Sequence, residues 1–405
     1  MMKHLLSIII IAVTTASFAQ KSSIYQKPPK EILDLVDVSR APSVLMNDDK
    51  SQMVLLYRNS YKSIEELSKE EMRLGGLRID PKTNIGSRVT YINNVKLKNL
   101  DKKEAKIVQV EGLPENPKLT NFKWSPDQSK IALTNTTSEG VELWILDIES
   151  ASVSKITEAK LNANIGNVIH WFEDGTSLLV KMISKNREPL INTKTAVPIG
   201  PTISVNDGKK AQNRTYQDLL KNKNDEHNFE QLAMSEIHKV SLDGSKEKWL
   251  EADLFRELTF SPDGNYVMVV TINKPFSYLV PYGRFPSKTK IYTKEGEEVE
   301  TVLDVPLIED LPQGFMAVRT GKRNFSWRND KPSSLTYVTA LDGGDPAVKV
   351  GYRDEMFELE APFKSNGKSI LKTINRFYNV QWGTDDVAIA YDYWWNTRNT
   401  KTYLF

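Results

Sequence analysis

Few side chains in this sequence have the types and spacing that covalent catalysis requires. A serine hydrolase carries its nucleophile in a Gly-x-Ser-x-Gly turn, and the sequence contains no such string. It also needs a histidine to accept the serine proton. His4 lies in an N-terminal apolar segment, while His170, His227 and His238 stand where packing, capping or solvation explains them better. We therefore predict no catalytic residue within this chain.

Two short strings imitate ligand sites but lack an essential part. Gly367-Lys368-Ser369 resembles the end of a phosphate-binding loop, but Pro362 stands where that loop needs its first glycine. Asp342-Gly343-Gly344-Asp345 could suggest calcium, but its spacing is not that of an EF-hand loop. We interpret both as turns. The chain also has no cysteine, which excludes thiolate zinc sites, and we predict no metal and no cofactor.

The composition is that of a folded, nearly neutral protein. Its 405 residues are 40% hydrophobic and 9% aromatic, which is enough for a sizeable core. Lys and Arg together number 54 against 52 Asp and Glu. With so small an excess there is no strong basic field, so we predict no nucleic-acid partner and no attraction to an anionic membrane.

Residues 1–19 are typical of a secretory signal peptide. A polar start is followed by the apolar run Leu5–Val13, and Ser17-Phe18-Ala19 fits a small-x-small cleavage site. The alternative is a buried N-terminal strand or helix. We predict cleavage before Gln20 and export to the periplasm or the extracellular space. No other stretch is apolar for long enough to span a bilayer.

A pattern of short strands and turns runs through the rest of the sequence. Its clearest copy is Phe122-Lys123-Trp124-Ser125-Pro126-Asp127, which leads into Ile131-Ala132-Leu133. Ser-Pro-Asp suits a tight turn because Pro presets φ and Asp bonds its own backbone. The flanking β-branched and aromatic residues suit strands. Further copies of the pattern begin at His170, Leu258, Phe325 and Val380 and, in weaker form, at Ala41.

Copies at intervals of roughly 50 residues, each with room for four strands, are typical of propeller blades. We predict that residues 20–405 form an all-β propeller of about six to seven four-stranded blades. A sandwich or several unrelated β domains would be the alternative. The segment from about residue 182 to residue 234 breaks the pattern. We predict that it is a partly helical insertion, with helices over 215–220 and 229–234.

Several strings go beyond the general pattern of a propeller. In their order and place they resemble the glutamyl-endopeptidase-like branch of the prolyl oligopeptidase family of serine peptidases. The resemblance covers nearly all of residues 20–405. The strings are Tyr25-Gln26-Lys27-Pro28-Pro29, Leu74-Gly75-Gly76-Leu77-Arg78-Ile79, Arg214-Thr215-Tyr216-Gln217-Asp218-Leu219-Leu220, Asn273-Lys274-Pro275-Phe276-Ser277-Tyr278-Leu279-Val280-Pro281, Arg323-Asn324-Phe325-Ser326-Trp327-Arg328-Asn329-Asp330-Lys331-Pro332 and Ala340-Leu341-Asp342-Gly343-Gly344-Asp345-Pro346.

The resemblance implies a peptidase built from two parts. In that family a propeller restricts access to an α/β-hydrolase domain that follows it and carries the Ser, Asp and His. No hydrolase domain appears in the sequence up to Phe405. The hypothesis is that this chain is the propeller part, gating peptide substrates for a hydrolase domain in the same chain, and that it is inactive alone. The alternative is a stand-alone envelope propeller that serves as a protein-binding scaffold.

The resemblance also points to arginines as substrate-binding residues. A branch that cleaves after acidic residues must neutralise a carboxylate, and the guanidinium group does so through two parallel hydrogen bonds. Arg78, Arg284, Arg319 and Arg323 lie in or near the family-like strings. Structural ion pairing is the alternative for each of them. The aromatic run Tyr391–Trp395 could be a packed strand, a ligand platform or an interface to the hydrolase domain.

Overall fold

The computed structural model describes residues 27–101, 104–193, 195–197, 208, 215–384 and 387–405. The expected signal peptide, residues 1–19, lies outside these ranges. The chain divides into two compact units. The first unit comprises Met1–Ala41 and Asn59–Tyr61, and its described part holds helix α1 (Lys30–Val36). The second unit comprises Pro42–Arg58 and Lys62–Phe405 and holds all the strands described below.

The second unit is built mainly of short strands. Its helical elements are α2 (Ile64–Ser68), α3 (Lys223–Ala233) and a 3-10 turn at Tyr282–Arg284. In chain order the strands are β1 (Ser43–Met46), β2 (Gln52–Tyr57), β3 (Met72–Leu74), β4 (Leu77–Asp80), β5 (Ile85–Gly86), β6 (Asn94–Asn99), β7 (Val108–Gln109), β8 (Leu119–Trp124), β9 (Lys130–Thr136), β10 (Val141–Asp147), β11 (Ser152–Lys155), β12 (Ile169–Trp171), β13 (Ser177–Ile183), β14 (Ser235–Ser241), β15 (Lys246–Asp253), β16 (Phe255–Phe260), β17 (Tyr266–Ile272), β18 (Ser287–Thr293), β19 (Glu298–Val305), β20 (Arg323–Trp327), β21 (Ser334–Ala340), β22 (Asp354–Glu360), β23 (Lys368–Thr373), β24 (Arg376–Thr384), β25 (Val387–Trp394) and β26 (Asn399–Leu404).

The strands form six successive antiparallel blades of a β-propeller. Blade 1 contains β1, β2, β6 and β7, and the next four blades are β8–β11, β12–β15, β16–β19 and β20–β23. Blade 6 has three strands in the described part of the chain, β24–β26. Along the chain, β3–β5 follow the second strand of blade 1 and precede the third, and they form a separate three-stranded sheet. The prediction of an all-β propeller is confirmed, with a count at the lower end of the expected range.

The predicted repeat corresponds to the first two strands of each blade. β12 contacts the first strands of both neighbouring blades, β8 and β16, so these strands lie innermost. The Ser-Pro-Asp turns that follow them share one geometry. In blade 2 the Ser125 hydroxyl donates to Asp127 at 2.6 Å and accepts the N–H of Lys130 at 3.0 Å. These bonds satisfy the turn's polar groups without a partner strand.

In blades 3 and 5 the repeated tryptophan joins the blade to the one before it. The Trp171 indole N–H donates to the carbonyl of Lys123 at 3.0 Å, and that of Trp327 donates to the carbonyl of Thr259 at 3.1 Å. Lys123 and Thr259 each directly precede the aromatic residue of the preceding blade. The recurrence of tryptophan therefore reflects a bond between blades as well as apolar packing.

The insertion within blade 3 occupies 184–234, between β13 and β14, and is partly helical as predicted. The expected helix over 229–234 corresponds to the end of α3. The expected helix over 215–220 is wrong, because this segment is irregular. Asp218 has a φ of +59° and its carbonyl accepts the N–H of Gly76 at 2.8 Å, so a distant contact replaces the helical bonds.

Blades 5 and 6 are joined by a buried network of charged groups. Arg376 at the start of β24 bonds Asp342 at 2.8 Å and Asp354 at 3.1 Å. Arg353 also bonds Asp342, at 2.7 Å, and Arg323 lies beside Asp354. Burial alone would raise the pKa of Asp342, but the bonds from Arg376 and Arg353 leave it below its usual range. The network therefore favours the ionised form of Asp342.

Replacing Arg376 tests how far the fold depends on this network. Arg376→Met leaves two buried carboxylates without their shared cation, and we expect the free energy of unfolding to fall by about 3–5 kcal/mol. The matched control is Lys372→Met, whose side chain is 49% exposed and pairs with Glu355 at 3.6 Å, and which should cost less than about 1 kcal/mol. Denaturant titrations at pH 7 measure both. Equal losses would contradict a special role for Arg376.

Candidate functional site

Insertions from three blades meet on the second unit and pack together. We call them the cap: the β3–β5 sheet of blade 1, residues 215–234 of blade 3 and residues 273–286 of blade 4. Each insertion connects the second strand of its blade to the third. Their apolar side chains form one buried cluster that contains Leu74, Ile79, Leu220, Phe229, Leu232, Phe276, Val280 and Phe285.

The family-like strings outside the blades supply the contacts of the cap. The amide of Tyr282 donates to the carbonyl of Gly75 at 2.8 Å. Gly76 has a φ of +90°, and a Cβ there would lie 2.9 Å from the Cβ of Pro281. Glycine is therefore needed for both the turn and the close approach. The resemblance in these strings thus corresponds to a structural core shared by the insertions.

Arg78 and Arg284 belong to the cap. The Arg78 Nε donates to Asp218 at 2.5 Å, and its side chain is 20% exposed. The guanidinium of Arg284 lies over the ring of Tyr216, 5.3 Å from the centroid. For Arg78 the structure favours the ion-pairing alternative. Arg284 lies between Gly283 and Phe285, which both line the pocket that contains the other two predicted arginines.

Arg319 and Arg323 instead line one pocket of about 290 Å³ between blade 4 and the start of β20. We call it the arginine pocket. A third arginine that sequence reasoning missed, Arg256, also lines this pocket. Most of its accessible lining is polar, because Met268 and Phe285 on its walls are almost fully buried.

β-Bulges place two of these arginines. The pairing of β16 with β17 shifts register between Phe255 and Glu257, and Arg256 lies at the shift. The pairing of β20 with β21 shifts directly after Arg323, where Asn324 has a φ of +55°. A bulge redirects side chains that a regular strand would point elsewhere. Since a bulge has no reliable sequence signal, the strand pattern around Leu258 gave no reason to single out Arg256.

Arg319 is held by the turn that carries Asp342. The amide of Val318 donates to the carbonyl of Gly344 at 3.1 Å. Gly344 has a φ of +82°, and a Cβ there would lie 2.0 Å from the Val318 carbonyl oxygen. The Arg319 guanidinium itself donates to the backbone carbonyls of Thr320 and Lys322. Two backbone bonds therefore fix its position without neutralising its charge.

A buried lysine fixes the strand that begins at Phe255. The Lys181 ammonium donates to the carbonyl of Phe255 at 2.9 Å and to the carbonyl of Ile165. Lys181 is 2% exposed, and no carboxylate pairs with it in the described residues. Desolvation lowers its pKa to about 7. The hydrogen bond from this buried cation positions Phe255, the residue directly before Arg256.

This lysine predicts a measurable pH dependence of stability. Its pKa falls from 10.5 in the unfolded chain to about 7 in the fold, so between these values the unfolded chain binds more protons. The free energy of unfolding should therefore rise as the pH increases from 7 towards 10. Lys181→Met should flatten that slope. Lys185→Met changes an exposed lysine just beyond the end of β13 and should leave the slope unchanged. Denaturant titrations at several pH values measure it; an unaltered slope in Lys181→Met would contradict this assignment.

The three histidines in the described residues form no catalytic triad. Burial, followed by the charge of Lys181, lowers the pKa of His170 to about 4, so it is a neutral packed residue. His227 contacts the carbonyl of Pro189 at 3.0 Å. His238 lies 2.9 Å from Glu236, which also accepts from Ser184 at 3.2 Å. There the carboxylate separates the hydroxyl from the imidazole, so that histidine cannot take the serine proton.

The aromatic run Tyr391–Trp395 is partly packed and partly exposed. The guanidinium of Arg353 lies over Trp394 at 4.0 Å, while Trp395 contacts Phe315 with ring centroids 5.2 Å apart. Trp395 remains 38% exposed and Phe315 59% exposed. Among the described residues there is no group of three acidic or histidine side chains that could hold a metal ion. No helix in the same residues is long and apolar enough to cross a membrane.

Comparison with known proteins relates this propeller to a class of peptidases. No family model matches the chain. It is 33% identical over 395 residues to the rice (Oryza sativa subsp. japonica) protein named "Probable glutamyl endopeptidase, chloroplastic", an alignment that covers 94% of this chain and 42% of the rice protein. The Arabidopsis thaliana protein of the same name is 31% identical over 393 residues, with 94% and 40% covered.

The chain is therefore a β-propeller protein similar to glutamyl endopeptidases, and it spans about two fifths of the length of these relatives. Among solved structures, the acylaminoacyl peptidase of Pyrococcus horikoshii matches with a TM-score of 0.43 and 12% identity, over 92% of this chain and 45% of that protein.

Proposed function

We propose that this chain is the propeller region of an exported serine peptidase of the prolyl oligopeptidase kind. In this proposal it admits peptides and positions them for an α/β-hydrolase domain in the same polypeptide. The alignment is the observation that carries the proposal, because it extends over 94% of the chain and only 42% of a relative named as a glutamyl endopeptidase. The remaining length of such a relative leaves room for a catalytic domain.

The geometry supports a role in positioning rather than in catalysis. The cap unites the insertions of three blades around one apolar cluster, which suits a wall that must keep its shape while peptides pass. The arginine pocket adds fixed positive groups of the kind that bind carboxylates. In the described residues, neither the histidines nor their neighbours could activate a serine.

A second candidate function is a scaffold that binds other proteins through its surface aromatic residues. Trp395 and Phe315 contact each other at the surface, and Arg398 lies over Trp395 at 3.6 Å. Exposed aromatic and arginine side chains are typical of the energetic centres of protein interfaces. This function would need no hydrolase domain.

The reading frame after codon 405 separates the two functions. We expect it to continue into a Gly-x-Ser-x-Gly sequence. The longer polypeptide should then cleave peptides after glutamate, lose that activity when the nucleophilic serine is changed to alanine, and exceed the 405-residue chain by orders of magnitude. A fluorogenic peptide assay on the three proteins measures this. A stop codon directly after 405, or cleavage by the 405-residue chain that survives repurification, would contradict the peptidase-propeller proposal.

Export is proposed from the N-terminal sequence and has a separate test. The intact mass of the protein recovered from the cell envelope or medium should correspond to a chain that begins at Gln20. Ile9→Arg places a charge in the apolar run and should keep the uncleaved protein in the cytoplasm. Ser22→Arg, beyond the cleavage site, serves as the matched control and should be processed normally. A full-length mass in the exported fraction would refute the signal peptide.

A further inference from the structure

A second pocket, of about 520 Å³, lies between blade 2 and the segment that joins the second and third strands of blade 1. We call it the polar pocket. Its walls come from parts of 65–83, from 115–118 before β8, and from 135–138 at the end of β9. Of the described residues that line it, Pro81 alone lacks a polar side chain. The pocket therefore suits a hydrophilic ligand, because an apolar one would leave these groups without hydrogen bonds.

The most buried charged group of this pocket is the carboxylate of Asp80. Asp80 is 8% exposed, while the other charged residues of the lining are exposed or half-buried. Its Oδ1 accepts the amides of Lys82 at 3.0 Å and Thr83 at 3.3 Å. Among the described residues, no donor bonds its Oδ2 and no cation pairs with it. Buried aspartates usually have such a partner, so Asp80 is left with an uncompensated charge.

A buried hydroxyl without a partner lies in the same turn. Thr83 is 2% exposed, and its Oγ1 makes no hydrogen bond with the protein. Most buried hydroxyl groups are hydrogen-bonded, so an unpaired one in the wall of a pocket points to a missing ligand. The bond between the Asp80 carboxylate and the Thr83 amide keeps the two residues together. Both line the polar pocket, which gives a ligand two acceptors side by side.

The turn that carries Asp80 and Thr83 is fixed by the fold. The amide of Asn84 donates to the carbonyl of Asp80 at 3.0 Å, and the carbonyl of Asn84 accepts the amide of Ala163 at 2.8 Å. The Asn84 side chain also accepts a hydrogen bond from Arg187. Blade 1 is thus tied here to the chain between blades 2 and 3. A site held in this way loses little conformational entropy when a ligand binds.

Negative charge prevails around this turn. The lining of the pocket holds four acidic side chains against three lysines. Burial raises the pKa of Tyr91, and the charges of Asp80 and Glu66 raise it further. The charge of Asp80 therefore acts on a neighbouring buried group. A cation in the pocket would compensate it, whereas a carboxylate or phosphate would meet a like charge.

The acceptors of the polar pocket match a primary ammonium group. Such a group has three N–H donors and no acceptor. Asp80 offers it an unpaired carboxylate oxygen, and Thr83 offers a hydroxyl oxygen. The volume exceeds that of the ammonium group alone and leaves room for about two or three small residues attached to it.

We propose that the polar pocket binds the primary ammonium group of a peptide, at its N-terminus or on a lysine side chain. Asp80 supplies the counter-charge, and Thr83 supplies a second acceptor. The proposal goes beyond the proposed function, because every residue of this site belongs to the propeller and none depends on a catalytic domain. It gives the propeller a binding site on blades 1 and 2, where none of the four arginines predicted from sequence lies.

Calorimetric titration of the 405-residue protein tests the site with peptides that carry no carboxylate. The first pair is Gly-Gly-Gly-amide and its N-acetylated form. The second pair is acetyl-Gly-Lys-Gly-amide and the same peptide with its lysine acetylated. At about pH 6.5 both ammonium groups are charged. The charged member of at least one pair should bind about tenfold more tightly than its neutral counterpart, because of the hydrogen-bonded charge.

The pH dependence distinguishes the two sources of the ammonium group. An N-terminal amine has a pKa of about 7.7–8.0, and a lysine amine one of about 10.4. Raising the pH to about 9 should therefore abolish a preference for the free N-terminus but preserve a preference for lysine. Either result supports an ammonium site and identifies the part of the peptide that enters it.

Two substitutions test the residues of the site. Asp80→Asn keeps an oxygen for the two amides but removes the charge, and it should abolish most of the preference for the charged peptide. Thr83→Val removes the hydroxyl at nearly constant volume and should weaken binding of the charged peptide several-fold. Neither change should lower the melting temperature, because each removes a buried polar group that lacks its partner in the free protein.

Asp174→Asn is the matched control. Asp174 is exposed, lies outside the pocket and accepts the amide of Thr176 at 2.8 Å in a turn of the same kind. This variant should keep the full preference for the charged peptide. The comparison therefore separates the charge of Asp80 from the general effect of an Asp-to-Asn change in a turn.

Equal binding of the two members of both pairs, or an undiminished preference in Asp80→Asn, would overturn the ammonium site. Weaker binding in Thr83→Val together with a lower melting temperature would overturn the role of Thr83 as an acceptor for the ligand. The peptidase-propeller proposal would survive all of these results, because it is decided by the reading frame after codon 405 and by cleavage in the longer polypeptide.

Discussion

Arg376 occupies the position on which the surrounding structure depends most. A single buried guanidinium is shared by Asp342 and Asp354, and it also donates to the carbonyl of Met316 at 2.9 Å. It therefore connects β24 of blade 6 to two different parts of blade 5. Burying so many charges is favourable only if each is paired and hydrogen-bonded. The network satisfies that condition around Arg376.

The same bonds position the arginine pocket. Asp354 lies beside Arg323, and the Asp342 turn carries Gly344, which holds Val318 and so the backbone of Arg319. The buried ammonium of Lys181 also fixes the carbonyl of Phe255, the residue directly before Arg256. The pocket is thus supported by backbone contacts and buried charges rather than by flexible surface loops. Such support lets charged side chains keep their geometry before a ligand arrives.

The propeller could be predicted from sequence because its signals are local. Each copy of the repeat contains an aromatic strand end, a turn and a β-branched run within a few residues, and these became the first two strands of each blade. The family-like strings also marked the right segments, since Leu74–Ile79 and Asn273–Pro281 meet in the cap. In the structure these segments form a packed core in which Gly76 closely approaches Pro281. This contact joins two distant segments, so neither string alone could predict it.

The candidate site was only half predictable, because it depends on contacts between distant residues. Arg319 and Arg323 lie in one pocket, but Arg78 is paired with Asp218, a residue of another blade's insertion. A second long-range contact of Asp218, its carbonyl with the amide of Gly76, replaces helical bonds in residues 215–220. Arg256 was missed because a β-bulge directs it, and strand periodicity describes only regular pairing.

The most direct test of this account is a peptide-cleavage assay that compares the 405-residue protein with the polypeptide encoded by the full reading frame. We predict that the longer polypeptide cleaves peptides and loses this activity when its nucleophilic serine is changed to alanine, while the 405-residue protein is inactive. Cleavage by the 405-residue protein that survives repurification would contradict the account.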